Sequence, residues 1–384
     1  MLLKTIADIS AGQGAPQGDA NYCDDGTPFV KAGNLNDLIS GLSISNIQRV
    51  SEEVAKNHKL KLFKKGTILF AKSGMSCLKG YVYVLPCDAY VVSHLACITP
   101  HKNISEYIKY YFIYNKPNNL IKDTSYPSIS LADIGNIDID FKNNEDIKTI
   151  VSILDKLQSI ITHLRTQLEK LDLLVKARFV EMFGEPLLGT QKWEFQCVGD
   201  VADAIDPQPS HRTPPIDENG IPYISIKDCN YKTGTIDFDN ARKVGKNVLE
   251  EHLNRYEIHD GDFIIGKIGT IGNPIFIPAR KDYTLSANIV LVQPNTKIVS
   301  PYFLKYSFMS DYVERQFSKA KNSTSQAAFG IQKVRSISIM NPDYDVQMEF
   351  ENFVKQVDKS KATVQKALDE AQLLFDSLMQ EYFG

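Results

Sequence analysis

The chain is built from two copies of one pattern. EMFG at 181–184 returns as EYFG at 381–384, an offset of 200 residues. At the same offset the run 127–139 lies over 327–339, with apolar positions coinciding at Ile134/Val334, Ile137/Ile337 and Ile139/Ile339. Upstream the offset drifts to 193–195, as changes of loop length would cause. There GTILFAKSG at 66–74 lies over GDFIIGKIG at 261–269, and Ser93 lies over Ser286. SEY at 105–107 lies over SPY at 300–302, and PFV at 28–30 over PYI at 222–224. The matches keep their order along all 384 residues, which chance similarity of short words does not produce. Self-similarity constrains a fold more than any single motif, because it makes the chain two versions of one structural unit.

Each copy has a globular part, 1–144 or 185–344, followed by a helical part, 145–184 or 345–384. The globular parts are rich in Gly, Pro, Asn, aromatic and β-branched residues. Short apolar runs at 67–70, 81–85, 263–265 and 289–292 read as strands between turns. Stretches 105–115 and 300–318 read as short helices, which makes the class α+β with a mostly β core. The helical parts carry an a/d seam at 3-4 spacing. In the first it runs Ile150, Leu154, Leu157, Ile161, Leu164, Leu168 and Leu171, and in the second Val354, Val357, Val364, Leu368 and Phe375. Gln347 and Lys361 interrupt the second seam, and Arg178 takes a seam position of the first. Asn143 or Asn144 is placed to cap the first helix, and Gly184 and Pro186 to stop it. A long helix with an apolar seam needs a partner. A pseudo-two-fold relation between the copies would pair the two helices as an antiparallel coiled coil with a β-rich domain at each end. Pairing of each seam with another chain is the alternative.

Composition and motifs exclude most chemistry. Apolar residues make up 43% and charged residues 23%, and 43 basic against 46 acidic residues leave a net charge of −3. That is neither a disordered chain nor a collagen-like fibre nor a strongly basic coat. The near-neutral total speaks mildly against nucleic acid, but the second helical part holds 4 basic and 8 acidic residues and so masks basic stretches elsewhere. The six cysteines lack zinc-site spacing and read as free thiols of a reducing cytosol. No signal peptide or membrane span is expected, because the most apolar stretch, 81–98, contains Pro86, Asp88 and His94. There is no phosphate-binding P-loop, and the glycines at 266, 269 and 272 lack dinucleotide spacing. NPDY at 341–344 resembles the N-P-P-Y motif of amino-methyltransferases only faintly and reads as a helix start. His94 and His211 are the two histidines worth following. No catalytic or metal-binding constellation emerges.

Binding is better supported. Arg49, Lys56, Lys59, Lys61, Lys64, Lys65 and Lys72 form one basic stretch. Arg315, Lys319, Lys321, Lys333 and Arg335 form another, with NSTSQ at 322–326 inside it. The first copy offers Lys116, Asn118, Asn119, Lys122 and 124–128 in the matching region. Such residues suit phosphates and base edges.

With these features the chain resembles the specificity subunit of type I restriction–modification systems. The similarity covers essentially the whole length. It rests on the doubled domain-plus-helix layout, the helix endings ARFVEMFGEP at 177–186 and QEYFG at 380–384, KWE at 192–194 with VGDV at 198–201, and the glycine–lysine runs at 66 and 261. The resemblance implies two target recognition domains, each reading half of a bipartite double-stranded DNA target, with the paired helices as spacer. It implies a non-catalytic cytoplasmic subunit that docks two methyltransferase subunits. Those carry S-adenosylmethionine and methylate adenine N6. A restriction/translocase partner using ATP and Mg joins in complete systems. Alternatives are a methylation-only or fused cleavage–methylation system, and a coiled-coil scaffold without a DNA role. The DNA-contact candidates are Lys31, Asn34, Lys72, Lys79, Lys122 and Ser128 in the first domain, and Lys227, Lys267, Lys321, Ser323 and Gln326 in the second. The matched pair Lys72 and Lys267 is expected to share one role, a phosphate contact. The first domain lacks a counterpart of Trp193-Glu194, so its opening strand is expected to be short or differently paired.

Overall fold

The computed structural model describes residues 1–384 other than Pro209, His211, Lys232, 268–271 and 323–329, and leaves out the side chains of 319–322. By contacts the chain forms two compact units, Met1–Arg165 with Lys366–Gly384, and Thr166–Gln365. The division falls inside both long helices, so each unit is a β-rich part plus the end of one helix and the opposite end of the other.

The first unit contains β1 (Ala7–Ala11), β2 (Thr27–Val30), β3 (Arg49–Val50), β4 (Ile68–Ala71), β5 (Val82–Val84), β6 (Tyr90–Val91) and β7 (Leu95–Pro100). They make an antiparallel sheet ordered β1-β7-β4-β5 and a small mixed sheet ordered β3-β2-β6, in which β2 and β6 are parallel. All four residues of β4 and the first four of β7 are buried. Their continuous apolar runs are those of strands covered on both faces. The helix Ser105–Tyr114 packs on this sheet with Tyr107, Ile108, Tyr110 and Phe112 buried.

The second unit repeats the plan. It contains β8 (Phe195–Cys197), β9 (Ala202–Ile205), β10 (Ile221–Ile224), β11 (Cys229–Asn230), β12 (Thr235–Ile236), β13 (Lys243–Val244), β14 (Phe263–Gly266), β15 (Ile275–Phe276), β16 (Thr284–Leu285), β17 (Ile289–Pro294) and β18 (Ser338–Met340). Its sheets run β9-β17-β14-β15 and β13-β10-β16, again with one parallel pair, β10 and β16. Strand for strand this is the order of the first unit. The opening strand differs between copies: β8 pairs along three residues with β18, whereas the first unit has the single bridge Leu2↔Asp138.

The ladders correct two of the sequence matches by one residue. Val92 N–H donates to Val30 C=O and Ser286 N–H to Ile224 C=O, so Ser286 corresponds to Val92, not Ser93. The short helices begin at Ser105 and at Pro301, so Ser300 corresponds to Ile104.

The long helices span Asn144–Phe183 and Tyr344–Phe383. Asn143 Oδ1 accepts from the amides of Glu145 and Asp146 at 3.0 Å, which caps the first helix. Gly184, at φ +85°, ends it. Within each unit the two helical segments run antiparallel. In the first unit Ile147, Ile150, Leu154, Leu157 and Ile161 share a core with Phe375, Met379 and Phe383. Arg165 reaches Gln372, while the Phe383 ring lies 5.1 Å from Tyr107. In the second unit Val175, Phe179 and Phe183 meet Phe350, Val354 and Val357, and Lys361 pairs with Asp172 at 2.6 Å. Val364 is buried, and Leu164, Leu168, Leu171 and Leu368 are half-buried.

The interruptions of the seam have local causes. Lys361 answers Asp172. Arg178 pairs with Glu181 and with Glu349 at 2.8 Å, which leaves Phe179 to enter the cluster of Phe183, Phe303 and Phe350. Gln347 is 1% exposed; its Oε1 accepts from Ser300 N–H at 2.9 Å and its Nε2 donates to Pro342 C=O at 2.8 Å. Ser300 Oγ also donates to Glu351. The first copy places Ile104, Ile147 and Val151 at the three corresponding positions, so one copy is polar there and the other apolar.

Candidate nucleic-acid interface

The end of β4 gathers several candidates of the first unit. Lys72 N–H donates to His94 C=O at 2.9 Å, and Lys72 C=O accepts from Ile129 N–H at 2.8 Å. Ser73 bridges to Ser128, and Ser73 Oγ lies 2.8 Å from His94 Nδ1. The chain then turns at Gly74 (φ +77°) into the short helix Met75–Lys79 and leaves through Gly80 (φ +63°). Asn118 Nδ2 holds this turn by donating to Leu78 C=O at 3.2 Å. Lys72, Lys79 and Ser128 therefore lie on adjoining segments, with exposed Met75 and Tyr126 among them. Lys79 sits 5.8 Å from the Tyr81 ring centroid. Lys122 is exposed and paired with Asp133 at 3.1 Å. Burial pushes the Cys77 thiol up, and the nearby Lys72 ammonium pulls it partly back.

Lys31 and Asn34 lie after β2, in a second place. Asn34 Oδ1 accepts from Lys31 N–H at 2.8 Å and closes the turn Ala32–Asn34. The Lys31 ammonium lies 4.4 Å above the Tyr22 ring and donates to Gln48 Oε1 at 2.6 Å. Beside it an open groove of about 590 Å³ runs between Tyr22–Asp24 and Ser45–Arg49. Its amides, hydroxyls and guanidinium can read hydrogen-bonding edges. The sequence reading passed over Gln48, Asn46 and Tyr22, because nothing in a local pattern says that residues 22–24 and 45–49 share a wall.

The second unit has the same turn with other chemistry. Asp228 Oδ2 accepts from Ser225 N–H and Oγ–H, both at 2.8 Å, and closes Ile226–Asp228. Lys227 on that turn is exposed. Lys267 is a correction. It is 5% exposed, and its ammonium donates to Asp206 Oδ2 at 2.5 Å, so it is held inside the fold, whereas Lys72 is half-exposed. Ser323, Gln326 and the side chain of Lys321 lie outside the described residues, as does His211.

Several members of the basic stretches serve the fold. Arg49 donates to Gly26 C=O at 3.2 Å, and half-buried Arg335 to Ala204 C=O at 3.1 Å. Lys64 pairs with Asp88, whose carboxyl is held below the usual range by that bond and by the Lys65 amide. Among the described residues no group of three or more His, Cys, Asp or Glu could hold a metal ion, and no helix is long and apolar enough to cross a membrane.

The family described as Type I restriction modification DNA specificity domain matches residues 1–172 and 190–372, one match to each copy of the repeat. The chain belongs to this family. DNA target recognition is its general role. Among curated relatives it is similar to the MjaIX specificity subunit of Methanocaldococcus jannaschii, with 30% identity over 141 residues. That segment is 35% of this chain and 31% of the relative. It is also similar to the EcoBI specificity subunit of Escherichia coli, with 19% identity over 203 residues, 52% of this chain and 42% of the relative. The matches thus span less than half the length of these relatives. Among solved structures, the type I S subunit from M. genitalium matches with a TM-score of 0.60 at 12% identity, over 100% of this chain and 95% of that one. A chain from a structural study of type I R-M complex assembly and conformational transition matches with a TM-score of 0.55 at 15% identity, over 100% and 96%. At these identities the likeness is one of fold.

Proposed function

We propose that this chain is the DNA-reading subunit of a cytoplasmic type I restriction–modification complex and that each unit reads one half of a bipartite target. The observation that carries this reading is a turn kept in both copies with different outward chemistry. Asn34 and Asp228 close the same turn in the same way, while Lys31 in one copy is Ser225 in the other. A fixed frame with exchanged surface residues is what two readers of different sequences require. Lys72 and Lys79 supply phosphate contacts, and the polar turns supply base contacts in the major groove.

This subunit aims chemistry done by others. Two methyltransferase subunits carry S-adenosylmethionine and methylate adenine N6, and a restriction partner brings ATP- and Mg-dependent cleavage. Adjacent leucines exposed on each long helix, Leu173–Leu174 and Leu373–Leu374, recur at the repeat offset of 200 and offer equivalent apolar contacts to two copies of one partner.

The test is co-expression with the cognate methyltransferase subunit, followed by sequencing that detects N6-methyladenine. A two-part methylated motif that disappears without this chain is expected. Replacing 116–128 should alter one half of the motif and leave the other. Unmethylated DNA, together with duplex binding that ignores salt and sequence, would favour the scaffold alternative instead.

A further inference from the structure

The two matched lysines do not stand in matching surroundings. Lys72 follows β4, whose last residue, Ala71, faces Leu95. Lys267 follows β14, whose last residue, Gly266, faces Ile289. Leu95 and Ile289 therefore correspond, and so do Ala96 and Val290. Both lysines donate their amide to the residue before the partner strand, His94 and Asn288. On the far side of that strand, Ala11 faces Ala96. Ile205 faces Leu291, so Asp206, the next residue, stands level with Val290. Ala11 thus occupies the place of Asp206.

That difference sets the state of the lysine. In the second unit the ammonium is buried on the Asp206 carboxylate and reaches Ala287 C=O at 3.4 Å. In the first unit a methyl group replaces the carboxylate, and the half-exposed Lys72 ammonium has neither an ion pair nor a hydrogen bond among the described residues. Ser73, His94 and Ser128 lie on the adjoining backbone, with Ser73 Oγ 2.8 Å from His94 Nδ1. An unpaired cation can take an anion without first breaking a salt bridge. A lysine already neutralised at short range cannot do so without first giving up that ion pair.

We infer that this position is a phosphate contact in the first unit and an internal ion pair in the second, so that the two halves of the target are held unequally, with Ala11 and Asp206 as the deciding residues. The inference rests on the DNA reading above. It makes position 11 a positioning residue that acts through Lys72. It also accounts for how one repeated glycine–lysine run serves two ends.

The test uses the full chain in complex with its methyltransferase subunit and a duplex carrying the methylated motif found by sequencing. Affinity is measured as a function of salt, with thermal melting as the check on folding. Wild type should show a linear fall of log affinity with log salt. K72A should reduce that slope by about 0.9, the share of one phosphate. A11D should do the same while Lys72 remains in place, because the new carboxylate neutralises it. A11N, which adds a similar side chain without the charge, should leave the slope at its wild-type value. If A11D leaves the slope at its wild-type value in a folded complex, or if A11N lowers it as much as A11D does, the inference is overturned. A wild-type complex whose affinity ignores salt overturns the DNA reading itself. The two failures are therefore distinguishable.

Discussion

Replacing Gln347 by Ile repairs the heptad seam on paper and restores the residue of the first copy, Ile147. It should nevertheless destabilise the second unit. Gln347 satisfies Ser300 N–H and Pro342 C=O, and both Gln347 and Ser300 are almost completely buried. Losing the amide leaves a donor and an acceptor without partners, at about 1–3 kcal/mol each. Burying an isoleucine in place of the amide returns about 1–2 kcal/mol. Taken at the middle of these ranges the net loss is about 2–3 kcal/mol. For a cooperative unit of 150–250 residues this lowers Tm by about 4–12 °C. Installing the apolar set of the first copy, Ile104, Ile147 and Val151, does not recover this loss. In S300I/Q347I/E351V the Ser300 Oγ–Glu351 bond loses both partners together, but the backbone N–H of residue 300 and Pro342 C=O are still left without the Gln347 amide. The triple variant should therefore melt no higher than Q347I. The assay is thermal unfolding of the full chain followed by circular dichroism, with single, double and triple variants forming a cycle. A Q347I protein that melts at or above wild type, or a triple variant restored to the wild-type Tm, would refute the reasoning.

Other outcomes follow from single sites. Gly184→Ala should lower Tm, because φ is +85° and a Cβ there would lie 2.0 Å from Thr190 C=O; a left-handed non-glycine residue alone costs about 1–3 kcal/mol. Lys305 lies 4.4 Å from the Phe276 ring centroid, and burial pulls its ammonium from the usual 10.5 down to about 8. The unfolded chain then binds the proton more tightly than the folded one, so this group adds stability as pH rises from about 8 to 10. Lys305→Met should flatten that rise in a comparison of melting curves with wild type, and an identical pH dependence would contradict it. Inserting one heptad in each long helix adds about 10.5 Å, close to three base pairs at 3.4 Å each. The gap in the methylated motif should lengthen accordingly without change to either half; an unchanged gap would remove the spacer role.

Much of this was legible in the chain. The offset of 200 and the run of Ile150, Leu154, Leu157 and Ile161 are periodic properties, and periodicity survives without knowledge of the fold. So is the capping of the first helix, because Asn143 acts on amides two and three residues away. The matches at Ser93 and Ser105 slipped by one residue because identity of a small polar residue is weaker evidence than a ladder of backbone bonds. Gln347, Lys361 and Arg178 looked like defects of the seam. Their reasons lie at Ser300, Asp172 and Glu349, which no local pattern connects to them.

The sequence by itself determined that two copies of one β-rich unit are each followed by a forty-residue helix, and it carried the family resemblance. Only the tertiary structure decided what each matched residue does. Lys72 and Lys267 occupy the same position in the same run, yet among the described residues one has no ion pair and the other is neutralised by a carboxylate 61 residues away. The physical reason is range. Helix and strand patterns arise from neighbours along the chain, whereas the state of a charge depends on what the folded sheet places across from it.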